Sequence, residues 1–262
     1  MRALVASYFG TQPEWDRLAR VLRYAAERYI SAWEIRIDRI APAHYDAALK
    51  RQTFVDNTQK MEHWAQAVRT APEGAELLLI DADTFLCGPL DEVWDDPDFD
   101  VAYTVKEGTR FPFNSGVVFV RVNARSRAFI EQWWQTNLQL LDDATTHRVW
   151  REQFGGINQA ALGAMLASSE HGTRLRPLPC RVWNCEDASW KTFGPDTRIV
   201  HVKGRLRSTV FGGTALGQAA VARLARYWRH LEQEAGRHGT SKSVDDGVGK
   251  HPGLGGHEHP GR

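Results

Sequence analysis

The sequence lacks the features that mark membrane and secreted proteins. No run approaches the ~20 consecutive apolar residues that a membrane-spanning helix needs. The first residues turn polar at Ser7, which is too early for the apolar region of a signal peptide. Three cysteines, at positions 87, 180 and 185, make no disulfide framework, and none forms a Cys-x-x-Cys pair. We therefore expect a reduced, cytoplasmic protein without a transmembrane segment.

An excess of charge of one sign is also absent. The chain has 33 Lys and Arg against 32 Asp and Glu, a net charge of +1, so it lacks the overall signature of a nucleic-acid or anionic-membrane binder. From Gly236 onward aromatic residues vanish and Gly and His recur, so this segment buries too little apolar surface to fold. We predict one domain over residues 1–235 and a disordered Gly/His-rich tail over 236–262.

The hydrophobic pattern predicts strands that alternate with helices. An apolar run over 4–6 indicates a strand, helical spacing follows over 15–29, and residues 33–37 alternate as in a half-exposed strand. This β-α-β opening favours a parallel sheet with crossover helices. The same patterns predict helices over 58–68, 128–141, 158–166 and 219–234, and strands over 101–105, 116–122 and 198–203.

One buried strand ends at two carboxylates. The run Leu77–Ile80 is continuously apolar, as in a strand buried on both faces, and Asp81 and Asp83 follow it. Ligands bind at this edge of an open α/β sheet, and residues two apart in an extended segment point to the same side. Two hard oxygen donors there would suit Mg²⁺ or Mn²⁺. The alternative is that the pair only caps the next helix, and the dipeptide pattern alone favours that alternative.

Three further blocks follow that strand along the chain. They are Phe113-Asn114-Ser115-Gly116, Gly156-Ile157-Asn158-Gln159 and His201-Val202-Lys203-Gly204. Together with Asp81-Ala82-Asp83 they resemble, in order, the blocks of nucleotide-sugar glycosyltransferases with the GT-A fold, of the glycogenin and lipopolysaccharide-galactosyltransferase type. Four blocks in the family's order are far more specific than one motif. The resemblance implies a Rossmann-like α/β fold whose mixed, mainly parallel sheet is flanked by helices.

The resemblance also implies a metal-dependent transfer of a sugar from a nucleotide-diphosphate sugar, with a UDP-sugar favoured. Asp81, Asp83 and His201 would hold Mn²⁺ or Mg²⁺, which neutralises the departing diphosphate. Lys203 would supply a point charge to the phosphates, and Gly204 would permit close backbone approach. The stretch from position 198 to position 207 contains no acidic residue and four cations, which are Arg198, Lys203, Arg205 and Arg207.

The remaining site residues are assigned by the same resemblance. The donor-binding set is Ser7, Tyr8, Phe9, Asn57, Lys60, Asp81, Ala82, Asp83, Asn114, Ser115, His201, Lys203 and Gly204, and the catalytic set is Asp83, Asn158 and Gln159. Asp56 is a further candidate beside Asn57. The family commonly carries Asp-Gln where this chain has Asn158-Gln159. An amide can orient a sugar hydroxyl but cannot act as nucleophile or general base. Transfer with retention of the anomeric configuration is therefore favoured only by the family resemblance, and not by the residue at position 158.

The acceptor is not named by any motif. We expect a glycan or a small molecule ahead of a protein or nucleic acid. A loop over 142–154 and the segment 180–195, with Trp183, Asn184 and Trp190, are expected to shape its site.

Two other functions compete with the transferase. One is a haloacid-dehalogenase-type phosphatase with Asp81 as nucleophile and Asp83 beside it, which Phe85 and the internal position of the motif disfavour. The other is a non-catalytic nucleotide-sugar binding protein on the same fold, because a fold alone does not guarantee turnover.

Overall fold

The computed structural model describes residues 1–9, 12–41, 51–106, 112–168, 172–187, 189–212 and 219–239. The strands are β1 (Arg2–Phe9), β2 (Glu34–Ile40), β3 (Glu76–Asp81), β4 (Thr84–Leu86), β5 (Val101–Val105), β6 (Phe113–Arg121), β7 (Leu175–Pro179) and β8 (Ile199–His201). The helices are α1 (Pro13–Tyr29), α2 (Gln52–Thr70), α3 (Ala124–Asp142), α4 (Ala144–Phe154), α5 (Ile157–Ala167), α6 (Cys180–Trp183), α7 (Gly204–Gly212) and α8 (Ala219–Gly239). Among the described helices, none is long and apolar enough to cross a membrane.

Six strands form the main sheet, in the order β2-β1-β3-β6-β5-β7. β6 runs antiparallel to both of its neighbours, while the other three pairings are parallel. The mixed, mainly parallel sheet that was predicted is therefore confirmed. β4 and β8 pair separately as a small antiparallel sheet.

The core lies on both faces of the main sheet. Leu78 and Ile80 of β3 pack in one cluster with α1, α7 and α8, and Leu77 and Leu79 pack in the other with α2, α3 and α5. Successive side chains of a strand point to opposite faces, so a central strand covered on both sides must be apolar throughout. This burial explains the continuous run before Asp81, and it fixes the position at which that carboxylate emerges.

Helices α4 and α8 differ from the sequence-based expectation. The predicted loop over 142–154 is wrong, because residues 144–154 form α4, whose first turn is capped by the Asp143 carboxylate. That carboxylate accepts hydrogen bonds from the backbone N–H groups of Thr145 and Thr146. The closing helix α8 extends to Gly239, beyond its predicted end at 234 and beyond the predicted domain boundary at 235. Residues 240–262 of the predicted tail lie outside the described residues.

Asp100 connects β5 with the segments that lead into α3 and β7. Its carboxylate is fully buried and accepts hydrogen bonds from Arg125 Nε at 2.8 Å, from Asn123 Nδ2 at 2.8 Å and from the backbone N–H of Arg174 at 2.9 Å. Arg174 adds a guanidinium contact at 2.9 Å. Burial raises the pKa of Asp100, but these donors outweigh it and hold the pKa well below its ordinary value.

We predict that Asp100→Asn lowers the free energy of unfolding by about 2 kcal/mol at pH 6, because hydrogen bonds to a charged acceptor are lost. The folded-state pKa lies below the unfolded value of about 3.9. The carboxylate's stabilisation is thus complete above that value and declines as the pH falls towards the folded-state pKa. Urea unfolding should show a difference between wild type and variant that shrinks from pH 6 to pH 3. Asp98→Asn, at a side chain 85% exposed, is the control and should change little. A deficit independent of pH would contradict the prediction.

Candidate metal centre and ligand cleft

Asp81, Asp83 and His201 meet at the end of β3. Asp81 is the last residue of β3, Asp83 lies in the turn that follows, and the antiparallel pairing of β4 with β8 places His201 opposite Thr84. Nε2 of His201 lies 3.2 Å from Asp83 Oδ1 and 3.8 Å from Asp81 Oδ2. One ligand atom from each of the three residues lies within 4.8 Å of the others. The predicted ligand set is thus brought together by two strand ends that are far apart in sequence.

Gly116 keeps space open beside these ligands. A Cβ atom at this position of β6 would lie 2.7 Å from Asp81 Oδ2 and 2.7 Å from His201 Cε1. Such distances are far below van der Waals contact, so only glycine leaves the ligand atoms where they are. Two carboxylates and an imidazole around an open space fit a divalent ion such as Mn²⁺ or Mg²⁺, with carboxylate the better-suited ligand type.

Cations from two helices lie beside the acidic pair. Lys60 of α2 is buried, and its Nζ lies 2.5 Å from Asp81 Oδ1. Arg207 of α7 lies 3.3 Å from Asp83 Oδ2. Burial raises the pKa of Asp83, but His201, Arg207 and Lys60 outweigh burial and lower it. The Asp83 carboxylate is therefore held in its charged form, as a metal ligand must be.

A cleft of about 610 Å³ adjoins the acidic pair. Its lining residues are Ser7, Tyr8, Phe9, Trp15, Thr53, Asp56, Asn57, Lys60, Asp81, Ala82 and Asp83. The cleft lies at the carboxyl ends of β1 and β3, where open α/β sheets bind their ligands. The structure therefore brings the predicted residues of the β1 exit, of α2 and of the Asp-Ala-Asp segment into one cavity.

Trp15 and Arg207 are cleft-side residues that the predicted site did not include. Trp15 lies in the first turn of α1, and the guanidinium of Arg207 stacks over its ring, 4.4 Å from the centroid. Arg207 also forms an ion pair with Glu14. The helical spacing of the sequence predicted that Trp15 packs in the core. Its position shortly after the end of β1 could have indicated that it lies beside the cleft, because ligands bind at the carboxyl ends of such strands.

The predicted phosphate-binding cations have partners from elsewhere in the chain. The ammonium of Lys203 pairs with the buried carboxylate of Glu186, which also lies 3.2 Å from Lys106. Burial lowers the pKa of Lys203, but Glu186 outweighs burial and raises it. Arg198 pairs with Glu92 at 2.9 Å. The stretch 198–207 contains no acid of its own, but acids distant in sequence pair with these two side chains.

Gly204, next to Lys203, begins α7 with a φ of +49°, a conformation that favours glycine. This backbone requirement is a reason for glycine at this position besides the predicted approach to phosphate.

The other predicted residues lie outside the lining of this cleft. Asn114 and Ser115 are buried on β6. Gln159, in the first turn of α5, donates from Nε2 to the carbonyl of Phe113 at 2.8 Å, which places the α5 amides next to the β6 block. The oxygen of the Asn158 side chain accepts the backbone N–H of Gln159 at 3.0 Å. The catalytic roles of Asn158 and Gln159 stay predictions.

The three side chains named in the segment 180–195 are buried. Trp183 and Trp190 are 6% and 3% exposed and pack in the cluster that includes Leu78 and Ile80. Asn184 is completely buried. The expectation that this segment shapes the acceptor site stays a prediction, and the structure places Asn184 behind His201.

The chain matches no protein-family model, and no curated protein matches its sequence. Solved structures match it over most of its length. A glycosyltransferase involved in glycosylation of the major capsid of PBCV-1 is 15% identical with a TM-score of 0.56, over 88% of this chain and 98% of that one. The glycosyltransferase GlyE of Streptococcus pneumoniae TIGR4 is 15% identical with a TM-score of 0.57, over 93% of this chain and 65% of GlyE. The galactosyltransferase LgtC is 12% identical with a TM-score of 0.54, over 89% and 96%.

At these identities the similarity defines the fold. The chain has the GT-A glycosyltransferase fold that the four sequence blocks implied. Within it, Asp81, Asp83 and His201 form a possible metal-binding triad.

We predict that Gly116→Ala weakens Mn²⁺ binding roughly tenfold or more, because the new methyl group displaces the side chains of two ligands. Gly116 is not in the left-handed region, so alanine is compatible with its backbone. Calorimetric titration of metal-free protein measures the affinity, and circular dichroism checks the fold. Gly236→Ala is the matched control, because its Cβ would meet nothing within 4 Å. Equal Mn²⁺ affinities in the two variants would show that metal binding does not require glycine at position 116.

Proposed function

We propose that this protein is a metal-dependent glycosyltransferase that moves a sugar from a nucleotide-diphosphate sugar to an acceptor hydroxyl. The observation that carries the proposal is the Asp81, Asp83 and His201 triad at the mouth of a strand-end cleft in a GT-A fold. We propose a UDP-sugar as the donor and a glycan or small molecule as the acceptor. The domain responsible is proposed to end near the end of α8.

The composition of the cleft supports a nucleotide ligand. Aromatic side chains of Tyr8, Phe9 and Trp15 line it together with the acids and Lys60. An aromatic wall suits a nucleoside base, which stacks on such rings, and the charged part suits a diphosphate with its metal. We therefore propose that the base binds near the β1 exit and the diphosphate near Asp81 and Asp83.

The chain's own groups would divide the chemistry as follows. The bond from the anomeric carbon to the diphosphate oxygen breaks, and the diphosphate departs with the electron pair. The acceptor oxygen forms the new bond to that carbon, and its proton passes to the departing diphosphate or to the Asp56 carboxylate of the cleft. A bound Mn²⁺ or Mg²⁺ would act as a Lewis acid towards the departing charge. Lys60 and Arg207 add fixed positive charges around the same carboxylates, and preorganised charges of this kind stabilise a transition state.

The competing functions differ in what they require. A phosphatase of the haloacid-dehalogenase type draws no support from a GT-A fold. A binding protein without turnover would keep the cleft and the metal but never release the sugar. Hydrolysis or transfer of the donor sugar therefore separates the transferase from the binding protein.

The decisive experiment is a thermal-shift screen of nucleotide-diphosphate sugars with and without Mn²⁺, followed by acceptor profiling with the donor that binds.

We predict that EDTA abolishes turnover and that Mn²⁺ or Mg²⁺ restores it. Asp83→Ala should lower turnover by roughly a thousandfold, as expected when both a metal ligand and its charge are lost. Its melting temperature should stay close to wild type, since the residue lies at a strand's end. Asp98→Ala is the control on an exposed carboxylate and should keep full activity. Wild-type rates in metal-free enzyme would overturn the proposal.

We predict that Asn158→Ala lowers donor use by about 10- to 1,000-fold, the range for a lost positioning contact or oriented dipole. Asn158→Asp should keep partial activity, because it is nearly isosteric and still accepts the backbone N–H of Gln159. The measurement is kcat/KM for the donor, with melting temperature as the check on folding. A covalent glycosyl adduct on α5 of the wild type would contradict a role limited to hydrogen bonding. Product anomeric configuration, read by NMR, decides between retention and inversion.

A further inference from the structure

Asn184 lies behind the metal ligands, at the centre of a buried hydrogen-bond network. Its side-chain oxygen lies 3.1 Å from Nδ1 of His201, and its side-chain nitrogen lies 3.0 Å from Thr104 Oγ1 and 3.0 Å from Asn114 Oδ1. The residue has no solvent-exposed surface. The backbone holds this geometry, because the next residue, Cys185, pairs with β8 and its carbonyl accepts the N–H of His201 at 2.9 Å.

The orientation of the Asn184 amide follows from its partners. Asn114 Oδ1 already accepts the backbone N–H of Gly116 at 2.8 Å, so this atom is an oxygen and an acceptor. Thr104 Oγ1 gives its only proton to the carbonyl of Asn114 at 2.8 Å, so it too can only accept from Asn184. Both partners therefore require the NH₂ group of Asn184. The reverse orientation would place an oxygen against two acceptors.

The fixed amide in turn fixes the imidazole. With NH₂ facing Thr104 and Asn114, the oxygen of Asn184 faces Nδ1 of His201 and accepts its proton. Which ring nitrogen of a histidine binds a metal is set by the hydrogen bond that the other nitrogen makes. Because Nδ1 keeps its proton, the neutral form of the ring has its lone pair on Nε2, the nitrogen that faces Asp81 and Asp83.

We propose that Asn184 is the positioning residue that makes His201 a metal ligand through Nε2. The inference rests on the metal centre of the proposed function, and it adds a residue outside the set of ligands and donor contacts. Asn184 does not touch the ligand cleft, so its effect passes entirely through the imidazole. Asn114 and Gly116 belong to the same sequence block, and both would then support metal binding. Asn114 would orient Asn184, and Gly116 would leave room for the ion.

The first test is metal affinity without any donor. Calorimetric titration of metal-free protein with Mn²⁺ should give a Kd that rises by about 10- to 100-fold in Asn184→Ala, the usual effect of removing an outer partner of a ligating histidine. Asn184→Asp still offers an oxygen to Nδ1 but can no longer donate to Thr104 and Asn114. We expect its melting temperature to fall while its metal affinity stays at or above wild type. Affinity and stability would then separate, which a purely structural role does not allow.

Thr104→Val is the matched control. It removes both hydrogen bonds of the Thr104 hydroxyl, one to Asn184 and one to the carbonyl of Asn114, at a residue that is fully buried and nearly isosteric with valine. The second contact, to Asn114, still orients the amide. The Kd for Mn²⁺ should therefore change by less than about threefold, given that outer-partner losses of tenfold or more follow when the histidine's own hydrogen bond is removed.

A spectroscopic measurement reports the ligating atom directly. Protein labelled with ¹⁵N-histidine and loaded with ¹¹³Cd²⁺ should show coupling between cadmium and Nε2 of His201 in the wild type. In Asn184→Ala this coupling should weaken or divide between the two ring nitrogens, because nothing then fixes the ring.

Wild-type Kd and an intact Nε2 coupling in Asn184→Ala would overturn the inference and leave the metal centre in place. An equal loss of affinity in Thr104→Val would also overturn it, since general damage to the network would then explain both. Failure of the metal centre itself is distinct, because the wild type would then bind no Mn²⁺. Absence of glycosyl transfer in a protein that binds metal through Nε2 would overturn the proposed activity alone.

Discussion

The structure around the cleft depends on how two close carboxylates are compensated. Ligand atoms of Asp81 and Asp83 lie within 4.8 Å of each other at the end of a buried strand. Two like charges about 4 Å apart repel by about 4 kcal/mol at an effective dielectric of 20, a large fraction of a domain's net stability of about 5–15 kcal/mol. Lys60 and Arg207 supply positive charge, and the imidazole of His201 lies 3.2 Å from Asp83. Each comes from a different element, so α2, β8 and α7 all have to converge on the end of β3.

This convergence joins the metal centre to the wall of the cleft. Arg207 contacts Asp83 with one nitrogen, pairs with Glu14 and covers the ring of Trp15. A ligand that stacks on Trp15 and a metal that binds Asp83 would therefore both act on the same guanidinium. Lys60 links the opposite side, since it lies in the cleft, contacts Asp81 and stacks 4.7 Å from the centroid of the buried Trp64.

The sequence predicted those parts of the fold and site that have a local cause. Burial of β3 on both faces produces the apolar run before Asp81, and strand geometry puts the two acids at a ligand-binding edge. His201 was predicted as a ligand only through the family resemblance. Local patterns could not predict it, because the pairing of β4 with β8 joins residues more than a hundred positions apart. The partners of Lys203 and Arg198 are distant in the same way. α4 was missed although Asp143 is a good cap, since its threonines and valine favour helix weakly.

Asn158 changes what the start of α5 can contribute to the proposed transfer. A carboxylate there could attack carbon or accept a proton, whereas an amide can only donate and accept hydrogen bonds. Of the carboxyl groups that line the cleft, Asp81 and Asp83 belong to the metal set. The third, Asp56, has a pKa raised by burial and accepts a hydrogen bond from Gln52 at 2.7 Å. A carboxyl whose pKa rises is the better proton acceptor near neutral pH. The acid–base task that position 158 cannot perform would thus fall to α2 or to the departing diphosphate, and α5 would be limited to holding the sugar.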